Sequence, residues 1–156
     1  KVDDGDIAYT IETAAATSGD SDYNGTNADD VSVTNTDDDT AGITVTPTSG
    51  LITTEAGGTD TFTVVLDTEP TASVTIGISS NDTGEGTVLP ASVVFETTDW
   101  SVAQTVTVTG SDDKVDDGDA GYTIVTANAS STDPNYSNRS ASDVTATNTD
   151  DDTAGR

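Results

Sequence analysis

The sequence predicts an all-β fold: an immunoglobulin-like antiparallel β-sandwich arranged in tandem repeats. Three observations predict it. Short segments rich in Val, Ile and Thr alternate apolar with polar residues. Gly, Pro, Asn and Asp punctuate those segments and mark turns. Residues 1–42 recur as residues 114–155, identical at 27 of 42 positions without a gap. Lys1 aligns with Lys114 and Asp37 with Asp150, so the offset is constant (114 − 1 = 113; 150 − 37 = 113). A period of that length is a whole domain rather than a solenoid unit. Residues 1–42 are therefore the C-terminal third of one repeat, its last two strands, and 43–155 a complete one. Residue 1 falls inside a repeat, so the chain is expected to be a segment of something longer.

The elements of the complete repeat follow in order. Ile43–Pro47 is the first strand; Pro47, Ser49 and Gly50 kink it and Leu51–Thr54 continues it, as an edge strand tolerates. After the Glu55–Gly58 turn, Asp60–Leu66 is the second, with Phe62, Val64 and Leu66 on one face. Ser73–Ile78 alternates strictly and is the third. Thr87–Leu89 and Ser92–Phe95 form a fourth region, Val102–Thr109 a fifth, Gly121–Thr126 a sixth and Asp143–Asn148 a seventh. No segment has a helical period. Seven short strands in about 110 residues suit a two-sheet sandwich. The expected core is Val45, Phe62, Val64, Leu66, Val74, Ile76, Ile78, Val94, Val106, Val108, Tyr122, Ile124 and Val144, with Trp100 plugging the sandwich edge. The partial repeat supplies only Ala8–Ile11 and Val31–Thr34, and two strands alone are marginal in water. Preceding residues, or a neighbouring chain, must complete that sandwich.

Composition narrows function. The chain has 156 residues, 4 basic against 29 acidic, a formal charge of −25, and no His, Cys or Met. Disulfides and thiolate metal sites are excluded, and the commonest general base is missing. A strongly acidic surface repels nucleic acid and anionic membranes, and no apolar run is long enough for a membrane-spanning helix. No enzyme activity is expected: hydrolase triads lack their base, and carboxylate pairs arise by chance among so many acids.

The acidic residues concentrate in two runs, Asp112–Asp119 and Asp150–Asp152, and both recur, as Asp3–Asp6 and Asp37–Asp39. In a sandwich both runs lie at strand ends on one pole. Two carboxylates about 4 Å apart repel by roughly 4 kcal/mol at an effective dielectric of 20. A divalent cation reverses that sign. Carboxylates without His or Cys suit a hard ion, and the loose geometry of six to eight oxygens favours Ca²⁺ over Mg²⁺. Asp37, Asp38 and Asp39 are expected to close the site of the earlier repeat with Asp3 and Asp4. A cation there would stiffen the short Thr36–Gly42 junction to the next repeat. The alternate-carboxylate spacing of an EF-hand is not met.

Phe95–Trp100, Gln104–Asp113, Asp117–Asp119 and the closing Asp150–Asp152 together resemble the Calx-beta repeat. That family includes calcium-sensing domains of sodium–calcium exchangers and tandem modules of giant bacterial surface proteins. The resemblance covers all of 43–155 and, at its end, 1–42. It implies an immunoglobulin-like sandwich with calcium in loops at one pole. By position it implies the ligands Glu55, Asp82, Asp112, Asp113, Asp117, Asp150, Asp151 and Asp152. One departure is that Ala120, and Ile7 in the earlier copy, stand where the family commonly has an acidic residue.

The expected function is structural: a stalk, filament or adhesin spacer of a large extracellular or cell-surface protein, rigidified by Ca²⁺. Its partners would be neighbouring repeats, and adjacent chains in a filament. Acceptor sequences at Asn24, Asn81, Asn128, Asn135 and Asn138 would allow glycans. The alternative is a ligand-binding module, either a Ca²⁺ sensor or a carbohydrate-binding domain.

Overall fold

A computed structural model describes residues 1–155. Every regular element among them is a strand. The first unit in sequence, Asp3–Asp39, is a hairpin of β1 (Ile7–Ile11) and β2 (Val31–Asn35) with a long looped excursion between them. The second, residues 1–2 with 40–155, holds nine strands. These are β3 (Ile43–Thr46), β4 (Leu51–Thr54), β5 (Thr59–Leu66), β6 (Val74–Ser80), β7 (Gly86–Leu89), β8 (Ser92–Phe95), β9 (Gln104–Gly110), β10 (Ala120–Thr126) and β11 (Val144–Thr149).

The nine strands form two sheets, ordered β3-β5-β9-β7 and β4-β11-β10-β6-β8. Neighbours pair antiparallel except β4 with β11, which run parallel. This is the expected immunoglobulin-like sandwich. Inward positions recur every second residue, as in β5, where Phe62, Val64 and Leu66 are buried. They meet Val74, Ile76 and Ile78 of β6, Val106 and Val108 of β9, Tyr122 and Ile124 of β10, and Val144 of β11 in one core. Trp100 is half-buried and packs against that core, as a plug at its edge does.

Two regions read as single strands are each two strands in opposite sheets. The chain crosses from β3 to β4 at Pro47–Gly50, and from β7 to β8 at Pro90–Ala91. Pro lacks the ladder donor, so it sits where pairing stops. Gly50 supplies the left-handed turn of the first crossing at φ 81°. In β8 the core register is one residue off the expectation: Val94 is 42% exposed, while Val93 and Phe95 are buried. A strand buries alternate residues, and the set holding Phe95 removes far more apolar surface from water than Val94 alone.

The core also takes Leu51, Ala41, Ala129, Ala146 and Tyr136, none of which the alternation identified. Tyr136 comes from the β10–β11 loop. Its hydroxyl donates to Thr68 O at 2.7 Å and accepts from Thr68 N–H at 3.1 Å. Asp133, in the same loop, accepts from Thr71 N–H at 2.7 Å.

Candidate metal centre

Four strand ends converge on one pole of the sandwich. β4 ends at Thr54, and Glu55 prolongs its parallel ladder by donating its N–H to Thr149 O at 3.1 Å. β11 runs out into Asp150–Asp152. β9 ends at Gly110, after which the acidic loop begins. β7 starts at Gly86, immediately after Glu85, whose carbonyl accepts from Ser111 N–H at 3.0 Å. Gly110 has no substitute here: a Cβ would collide with the Thr54 carbonyl and the Asn148 side chain. That close approach brings the four ends together.

Two groups of carboxylates result. Glu55, Asp113 and Asp152 bring ligand oxygens within 4.8 Å of one another, and so do Glu85, Asp113 and Asp117. Oxygens held about 2.4 Å from one Ca²⁺ lie at most about 4.8 Å apart, so each group has the span of a single ion's ligand shell. Asp113 belongs to both. Glu55 is only 4% exposed. Its Oε2 and the Oδ2 of Asp152 are buried without a hydrogen-bond partner, and such oxygens are rare in folded proteins unless something unseen satisfies them. The donor set therefore fits a hard cation.

Electrostatics agree. Burial pushes the Glu55 carboxyl above its usual range; the Asp151 amide opposes the shift, and the charges of Asp150, Asp113 and Asp152 add to it. Burial likewise raises Asp152, helped by Asp112, Asp151 and Asp150. Asp150 shifts the other way, held low by the amides of Asp152 and Gly118.

The aspartates of the two runs thus divide by task. Asp150 organises the pole: its carboxylate accepts from Gly118 N–H and Asp152 N–H, both at 2.7 Å, and its own N–H reaches Asp119 Oδ1 at 3.2 Å. Asp151 is exposed, and its amide serves Glu55. Asp112 pairs with Lys114 at 3.4 Å, outside both groups. Asp82 also lies outside them; its Oδ1 accepts from Gly84 N–H at 3.0 Å and its carbonyl from Gly86 N–H at 3.1 Å, which shapes the turn that presents Glu85.

The earlier copy reproduces this wiring. Asp37 accepts from Gly5 N–H at 2.7 Å and Asp39 N–H at 2.9 Å, and its N–H reaches Asp6 Oδ1 at 2.9 Å. Those amides hold its carboxyl low. Asp37, Asp38 and Asp39 form a third carboxylate group. Neither Asp3 nor Asp4 joins it; Asp4 contributes its N–H to Asp37 at 3.0 Å.

Sequence reasoning missed Glu85 and Asn148. Glu85 has no counterpart in residues 1–42, so the repeat could not flag it. Asn148 left a signal: it continues the inward series Val144, Ala146 as a polar residue where an apolar one is due. Asn148 is buried, donating Nδ2 to Ser111 O at 3.0 Å and accepting from Thr53 Oγ1 at 3.0 Å. Thr53 in turn meets the Tyr122 hydroxyl at 2.9 Å. This buried chain ties β10, β4 and β11 to the start of the acidic loop.

Fold and site together define an immunoglobulin-like sandwich with metal-competent acidic clusters at one pole. No protein-family model matches the sequence, and no curated protein does. Solved structures do resemble the fold. The apo form of the Calx CBD1 domain superposes with a TM-score of 0.51 and 15% identity, covering 73% of this chain and 100% of that one. CBD12 from CALX1.2 gives 0.50 and 16%, covering 72% and 45%. The periplasmic chaperone SfaE gives 0.54 and 10%, covering 74% of this chain and 61% of that one. At such identities the likeness is one of fold. No helix among the described residues is long and apolar enough to cross a membrane.

Proposed function

We propose that this chain is a structural, non-enzymatic module: part of a tandem array of sandwiches forming a stalk, filament or adhesin spacer of a large extracellular or surface protein. Ca²⁺ bound at the acidic pole rigidifies each repeat. One observation supports the calcium reading above the others: Glu55 and Asp152 each bury a carboxylate oxygen without a partner, and both residues belong, with Asp113, to a group whose ligand oxygens span no more than one ion's ligand shell. Glu55, Asp113 and Asp152 would hold one cation, and Glu85, Asp113 and Asp117 a second. The ion would supply the positive charge that cancels repulsion among them and clamps the ends of β4, β9 and β11. Two recurrent acidic runs at one offset support the array.

A cation present at 100 times its dissociation constant stabilises the folded state by about 2.7 kcal/mol. Thermal melts in millimolar Ca²⁺ should therefore lie clearly above melts in EDTA, and Glu55→Gln with Asp152→Asn should abolish the difference. An unchanged melting point in the native chain refutes the calcium reading.

A further inference from the structure

The hairpin unit Asp3–Asp39 has the backbone of the second copy without its cover. Its register is the same: Ile7 pairs with Asn35, Tyr9 with Val33 and Ile11 with Val31, as Ala120 pairs with Asn148, Tyr122 with Ala146 and Ile124 with Val144. Its loop is the same: Ala16 N–H donates to Thr26 O, and Gly25 N–H to Ala16 O, as Ala129 does to Arg139 and Asn138 to Ala129. Gly25 and Asn138 occupy one position at φ 84° and 60°. Thr13 N–H reaches Asp30, and Thr126 N–H reaches Asp143, both at 2.8 Å.

Burial is not the same. Tyr9, Ile11, Val31 and Tyr23 are 50%, 51%, 51% and 64% exposed, whereas Tyr122, Ile124, Val144 and Tyr136 are 4%, 0%, 0% and 0% exposed. In the second copy, residues 43–113 make the difference. They also take the polar ends: Tyr136 bonds to Thr68, Asp133 to Thr71, Tyr122 to Thr53, and Asn148 to Thr53 and Ser111. The first copy keeps each outward-reaching residue, as Tyr23, Asp20, Tyr9 and Asn35. It also has both strand edges open, since β1 and β2 form a sheet of two.

We propose that this face is a docking site for one kind of partner: a β-sandwich fragment equivalent to residues 43–113. That fragment would lay a strand antiparallel to β1, as β6 lies on β10, and one parallel to β2, as β4 lies on β11. It would present a threonine to Tyr23 and another to Tyr9. The inference rests on the repeat half of the proposed function and not on calcium.

The test compares this chain with one carrying an added copy of residues 43–113 joined directly before Lys1, by amide hydrogen exchange in Ca²⁺ and in EDTA. In the extended chain, β1 and β2 should slow by about 100-fold or more, into the range of β10 and β11, because they become part of a packed sandwich. Tyr23→Asp in that chain should cancel the slowing in β1 and β2 and leave β10 and β11 unchanged. Unaltered exchange on extension overturns the proposal, as does slowing that survives Tyr23→Asp. Protection of β1 and β2 in the unextended chain that grows with protein concentration also overturns it, by making a second copy the occupant. Slowing that is equal in Ca²⁺ and EDTA supports docking even where the calcium reading fails.

Discussion

Tyr23 and Tyr136 stand at the same place in the same loop, yet one faces water and the other lies at the centre of a core. The segment that carries them has been placed in two environments, and what it keeps in both is what it encodes by itself. It keeps the hairpin register, the left-handed turn and the amides wrapped around Asp37 or Asp150. It does not keep burial, which residues far away in sequence provide. Local wiring and stability therefore come from different parts of the repeat, and the wiring of the acidic pole is among the parts that persist without a core beneath it.

The largest effect that would break this comparison is at the two tyrosines. Tyr136→Ala should destabilise the sandwich by about 3–5 kcal/mol in denaturant unfolding, as loss of a buried aromatic does. Tyr23→Ala should stay within about 0.5 kcal/mol, as exposed substitutions do. Equal losses would mean that Tyr23 is covered after all. A smaller contrast is expected at Asn148 and Asn35. Asn148→Ala takes one partner from the Thr53 hydroxyl, which keeps Tyr122, and removes the amide donor to the Ser111 carbonyl; it should cost about 1–3 kcal/mol. Asn35→Ala should be near neutral.

The smallest effect is in pH, and it sharpens the division among the aspartates. Glu55 and Asp152 have carboxyl pKa values raised by burial and by neighbouring charge. Their folded state holds the proton more tightly, so they favour folding at low pH and lose that contribution as pH rises through the raised values. Asp150 and Asp37 are lowered by backbone amides. They favour folding above the ordinary aspartate value of 3.8 and lose that contribution as pH falls through the lowered ones. In EDTA, the melting temperature should thus rise as pH drops from 7 towards the ordinary glutamate value of 4.5, then fall below 3.8. Glu55→Gln with Asp152→Asn should flatten the rise and leave the fall.

Much of this was legible in the sequence because it depends on short-range pattern. Alternation placed the strands, and the repeat pointed to both acidic runs. Val94 was misplaced because Ser92–Phe95 is too short for its own pattern to choose between two faces; Phe95 decides, through a partner sheet the sequence does not display. The splitting of the first and fourth regions between sheets is likewise a matter of which strand lies alongside. Glu85 reaches the site only because Gly110 lets β9 approach β4 and β11 closely. Tyr136 looked like loop because it is loop; its burial comes from Thr68, which the turn after β5 brings beneath it.

The parallel pairing of β4 with β11 has a mechanical meaning. β4 is entered at Leu51, opposite Ala146, and β11 is left at Thr149, opposite Thr54. Tension entering at the start of β4 and leaving at the end of β11 pulls two parallel neighbours in opposite directions along their common axis. Their hydrogen bonds are then loaded in shear, all together, rather than peeled one after another as in an antiparallel hairpin pulled from its open end. Glu55 and Asp152 sit just beyond the far end of that ladder, so an ion gripping both would act as a rivet across the seam that bears the load.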